Sequence, residues 1–188
     1  MKKINLIFMM LIVAGAFQAC GNGDSDKKDS VEVAKDINDN NSKQVPGKAA
    51  DFMVKAANGG MMEVELGKIA QDKAQDPRVK SFGAMMVKDH TQANTEMKTM
   101  ADGKSVTLPS SLGEDHQKHV TELQQKAGAE FDKAYMSMMV EDHKEDIGEF
   151  EDAAKLDDAD VKAFAQKTLP VLRTHLDSAK AINSALKK

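Results

Sequence analysis

Tryptophan is absent from this chain, tyrosine and cysteine occur once each, and only four prolines interrupt 188 residues. Aromatic residues make up 4% of the sequence. An all-β sandwich needs aromatics, β-branched residues and frequent turns, so that class is excluded. A single cysteine excludes an intramolecular disulfide framework and any multi-cysteine zinc or iron–sulfur site. No excess of basic charge is present either: the formal charge is −4 and the pI about 5.7. Lys and Arg are scattered among acids, so no nucleic-acid groove is marked. The sequence also lacks a Ser-His-Asp order, a reactive-cysteine context, a phosphate-binding glycine loop and a dinucleotide fingerprint.

What remains is rich in Ala, Lys, Asp, Glu and Met, which favours helix. The length allows one domain plus appendages. Residues 1–19 carry Lys2-Lys3, the apolar run from Ile4 to Val13, and small residues ending at Ala19. That is a basic region followed by an apolar region too short to span a ~30 Å hydrocarbon core comfortably. The only cysteine follows at once, in Phe17-Gln18-Ala19-Cys20, which resembles a bacterial lipobox. The expectation is a signal peptide over 1–19 and an exported protein anchored to a membrane by lipid on Cys20. Phe17 and Gln18 are not the usual lipobox residues, and secretion with a spare thiol is the alternative. Residues 20–47, with many Asp, Asn and Ser and a closing Pro46-Gly47, are expected to be a flexible tether, since they cannot bury enough apolar surface to offset their ordering entropy.

Four long helices are predicted beyond it. The first runs from about Lys48 to Gln75. The second starts at Asp76-Pro77, an N-cap followed by proline at the first helical position, and ends at Gly103. A shorter helix over 112–127 follows a capping-box spacing, Ser111-x-x-Glu114. The third long helix spans about 129–156, and Asp157-Asp158 cap the fourth. Each long helix has close to 28 residues, or ~42 Å. Apolar residues recur on each at steps of three and four, as in Val79, Phe82, Met86, His90, Ala93 and Met97. Matched lengths and stripes predict an all-α, up-and-down four-helix bundle over 48–188 with an extra connecting helix. Simple alternation and a long crossover both remain open.

One internal echo stands out. Met85-Met86-Val87-Lys88-Asp89-His90 reappears as Met138-Met139-Val140-Glu141-Asp142-His143, and packing alone does not require Asp-His after Met-Met-Val. With Phe52 to Gly67 (FMVKAANGGMMEVELG), Phe131-Asp132-x-x-Tyr135, Phe150-Glu151-x-Ala153-Ala154 and Val161 to Leu176 (VKAFAQKTLPVLRTHL), these motifs make the chain resemble domain-of-unknown-function family 4142. The resemblance covers about residues 48–186. It implies a ferritin-like bundle in the bacterial cell envelope and leaves activity open.

Glu63, His90, His143 and His175 each fall on the inward stripe of a different helix, near its midpoint. Mid-helix groups come level whatever the connectivity. One carboxylate and three imidazoles converging in a bundle core would suit one transition-metal ion such as zinc, iron, manganese or copper. The alternative is a hydrogen-bonded polar lock in a non-catalytic envelope module, and a protein partner or homo-oligomer is compatible with either. Pro170, one turn before His175, is expected to kink its helix. A ferritin di-iron centre needs Glu-x-x-His twice; here Val87, Val140 and Leu172 stand three before the histidines, so that signature is absent. Asp89 and Asp142 would either orient an imidazole from behind or face solvent. Met86 and Met139 read as core filling, Gly59-Gly60 as a close helix contact, and His116-x-x-His119 as a solvated helix face.

Overall fold

A computed structural model describes residues 28–41, Val45 and residues 47–187. The expected signal peptide and Cys20 lie outside these residues. The order is α1 (Ser30–Asn40), α2 (Gly47–Lys73), α3 (Pro77–Lys104), α4 (Glu114–Gln124), α5 (Gly128–Ala153) and α6 (Ala159–Ala185), with no strand among the described residues. None of these helices is long and apolar enough to cross a membrane.

Local chemistry sets most helix ends. Asp76 accepts a hydrogen bond from the Arg78 amide at 2.8 Å, and Pro77 opens α3. Asp158 accepts from the amides of Asp160 and Val161 to start α6. Ser105, in the left-handed region at φ 57°, closes α3. Each cap satisfies amides or carbonyls that a helix end otherwise leaves unpaired. The capping box at Ser111 does not form. Gly113 is the N-cap of α4, and the Glu114 amide donates instead to Asp29 Oδ2 at 2.6 Å.

α2 and α3 form one antiparallel hairpin, and α5 and α6 form the other. Asp132, near the start of α5, accepts from the amides of Gln75 and Asp76 at the α2–α3 turn. At the opposite end, Lys104 pairs with Asp158 and Asp160. α5 therefore starts where α3 starts. The connection through α4 must run the length of the bundle, so α3 and α5 lie parallel, joined by one long crossover. One close helix approach is a glycine pair: a Cβ on either Gly67 or Gly83 would stand 2.7 Å from the other's carbonyl oxygen.

Within 20–47, the expected tether, residues 30–40 instead form α1, which packs on the bundle. Asn38, 8% exposed, exchanges hydrogen bonds with the Thr107 backbone, and Ser30 Oγ accepts from the amides of Ser110 and Ser111. The crossover leaves backbone groups unpaired, and the polar residues of α1 satisfy them.

The interior has two apolar ends. Phe52, Met53, Met97, Phe150 and Phe164 fill one, with the Phe52 and Phe150 rings edge-on at 4.9 Å. Leu66, Phe82, Met86, Phe131, Tyr135 and Met139 fill the other. Between them lies a polar layer.

Candidate metal centre

That layer is Glu63 from α2, His90 from α3, His143 from α5 and His175 from α6, none more than 6% exposed. Pro170 does not displace His175, because α6 continues through it unbroken from Ala159 to Ala185. One ring nitrogen from each histidine lies within 4.8 Å of the other two. A carboxyl oxygen from each of Glu63 and Asp142 forms a second such group with His143.

Each imidazole is anchored through one nitrogen. His143 Nδ1 lies 3.0 Å from the Met139 carbonyl oxygen. A carbonyl can only accept, so Nδ1 carries the proton and the neutral ring keeps its lone pair on Nε2. His175 Nε2 donates to Asp89 Oδ2 at 3.0 Å, leaving Nδ1 free. His90 Nδ1 donates to Glu63 Oε2 at 2.6 Å, leaving Nε2 buried and without a partner. The inner atoms then confront one another. His143 Nε2 is 3.3 Å from His175 Nδ1 and 3.4 Å from Glu63 Oε1, which itself accepts no hydrogen bond. Two lone pairs and an unpaired carboxylate oxygen face a common point.

Electrostatics reinforces this. Burial pushes His143 down to about 4, helped by its histidine neighbours and opposed by Glu63. Burial also lowers His175, against the pull of Asp89. For Glu63, burial acts to raise the pKa, but His90, His143 and His175 outweigh it and hold the carboxyl below its ordinary value. The lowered values of His143 and His175 and of Glu63 favour a neutral imidazole and an ionised carboxylate, the forms that ligate a cation.

Asp89 orients His175 from the neighbouring helix rather than its sequence neighbour His90, and its side chain is one quarter exposed. Asp142 lies beside Glu63, with Oδ2 enclosed and unpartnered. Burial first, then the Glu63 charge, raises Asp142 well above the carboxylate range, and Asp146 behaves the same way. Sequence reasoning missed Asp146, Asn94 and Tyr135. Asn94 stands four residues after His90 and Asp146 three after His143, so helical spacing carried a signal for both. Tyr135, eight before His143, is fully buried with its hydroxyl unpaired, and burial pushes its pKa up. Met86 and Met139 are core residues. His116 and His119 are half-buried on α4, and among the described residues they join no group of three donors.

A solved structure described as a DUF305 fragment from Deinococcus radiodurans superposes with a TM-score of 0.67 at 11% identity, covering 76% of this chain and 98% of that one. Likeness at that identity concerns the fold. No curated protein matches the chain. A family described as a domain of unknown function, DUF4142, matches residues 34–182, from within α1 to within α6. The match reaches all six helices and takes in all four residues of the polar layer, and the chain belongs to the DUF4142 family.

Proposed function

We propose that the bundle binds one transition-metal ion in its core, with His90, His143 and His175 as nitrogen ligands and Glu63 as the oxygen ligand. Zinc, iron, manganese and copper all suit such a donor set. The observation that carries the reading is the orientation of the imidazoles. His143 and His175 each commit one nitrogen to a carbonyl or carboxylate behind them and turn the other inward, as metal-bound histidines do. The spacing agrees. Ligands at ~2.1 Å in a tetrahedron stand roughly 3.4 Å apart, and the nearest histidine nitrogens are 3.3 Å apart. We further propose, from the sequence, that the domain is exported and held to the envelope membrane through lipid on Cys20.

A hydrogen-bonded lock is the competing reading, favoured by the 2.6 Å contact between His90 and Glu63. It leaves His90 Nε2 buried without a partner, at about 1–3 kcal/mol. A metal ion removes that penalty. The test is metal titration of protein purified without a histidine tag, beside His90→Ala/His143→Ala. The metal reading expects one ion per chain and a stabilisation of about 2.7 kcal/mol at a hundredfold excess over Kd, both abolished in the variant. Equal stability with and without metal would favour the lock.

A further inference from the structure

A cavity of about 20 Å³ opens beside Glu63 and His90, enclosed by the four long helices. One water molecule needs roughly 10–15 Å³ measured in this way, so the space holds one small molecule and little more. Ala93 and Phe164 supply apolar wall, while Asn94 and Asp146 supply polar groups. These two sit one turn beyond the histidines of their own helices.

Asn94 reaches this position because of a missing side chain. A Cβ on Gly60 would stand 2.1 Å from Asn94 Oδ1 and 3.0 Å from its Cγ. Gly60 is mid-helix in α2, one turn before Glu63, where glycine costs roughly 0.5–1 kcal/mol relative to alanine. Helix propensity favours alanine there, but an alanine would push the carboxamide aside. Gly59 does not share this constraint, since its Cβ would make an ordinary 3.8 Å contact with Asp146 Oδ1. The α2 backbone is thus pared at one residue to admit one amide beside the site.

We propose that this cavity seats an exogenous ligand of the metal ion. The ligand class is a molecule of one or two heavy atoms: water or hydroxide at rest, displaceable by a diatomic such as cyanide. Asn94 and Asp146 hydrogen-bond it, Ala93 limits its size, and Gly60 keeps Asn94 in place. The inference rests on the metal reading above, and it makes the centre open to substrate-sized ligands rather than closed and structural.

The test uses cobalt(II)-loaded protein, following cobalt content and visible absorption while cyanide is added to a few equivalents, with five-atom imidazole as the size control. The expected result is a saturable spectral change with cyanide and none with imidazole. Ala93→Leu fills the cavity and should keep its cobalt while losing the cyanide response. Gly60→Ala displaces only the end of a side chain and raises helix propensity, so it should fold, keep its cobalt and bind cyanide at least tenfold more weakly. Cobalt-loaded wild type that ignores cyanide, or a Gly60→Ala protein that binds it as tightly as wild type, would overturn this inference and leave the metal reading intact. Wild type that retains no cobalt would overturn both.

Discussion

His143 Nε2 and His175 Nδ1 face each other across 3.3 Å, on rings whose other nitrogens are already committed to the Met139 carbonyl and the Asp89 carboxylate. In neutral rings that juxtaposition sets lone pair against lone pair. A cation between them resolves the conflict, and the Glu63 carboxylate supplies negative charge beside it.

Asp89 acts on this contact from outside. Its loss frees His175 to rotate and to exchange tautomers, without opening a cavity, because the side chain is one quarter exposed. Asp89→Ala should therefore fold normally and bind metal about 10–100-fold more weakly. Parallel titrations of the two proteins check this, and equal affinities would mean that His175 is held by packing alone.

The metal-free layer contains opposed titrations. His143, held near 4 when folded, takes up a proton from about pH 6.5 downward once unfolded. Its contribution to stability is complete above that pH and is lost as pH falls to 4, a change of about 3 kcal/mol. Glu63, depressed on folding, adds an acid loss of the same sign. Asp142 and Asp146 are raised on folding, so their contributions are present below the ordinary carboxylate pKa and are lost as pH rises. The two pairs act in opposite directions in wild type. Asp142→Asn/Asp146→Asn, unfolded by urea in the presence of chelator, should be more stable than wild type at pH 7. Its stability should then fall steeply between pH 6.5 and 4. A flat profile in that variant would contradict the assigned burial of His143.

The α2–α3 seam makes a prediction independent of metal. A Cβ on Gly83 would meet the Gly67 carbonyl oxygen at 2.7 Å and the Ala70 Cβ at 2.8 Å, against backbone that cannot swing aside. Gly83→Ala should destabilise by about 1–3 kcal/mol. Gly148 in α5 has open space where its Cβ would point, so Gly148→Ala should stabilise by about 0.4–1 kcal/mol. Denaturant melts of the two variants should move in opposite directions.

The bundle was legible where local chemistry agreed with periodicity. Asp76 and Asp158 cap as their spacing predicts, and the stripes bring Glu63, His90, His143 and His175 to one level. Legibility failed where partners come from distant parts of the chain. Asp29 caps α4 from 85 residues away, and no local pattern reports that. The Asn and Asp residues of α1 read as tether because their composition is polar, yet Asn38 is buried by pairing with the crossover backbone. Asp89 reads from the sequence as either a partner for an imidazole or a solvated carboxylate, and neither the choice nor the ring is legible there. Its position on α3 relative to α6 depends on how the two hairpins pack. The Gly60–Asn94 contact was half visible, as a glycine pair marking a close approach, without the residue that approaches.

Metal-edge anomalous diffraction from crystals of the metal-loaded protein locates the ion itself. One peak per chain is expected at mid-bundle, about 2.0–2.2 Å from His90 Nε2, His143 Nε2, His175 Nδ1 and a Glu63 oxygen. A bundle core without a peak, or a peak confined to His116 and His119 on α4, would contradict the metal reading.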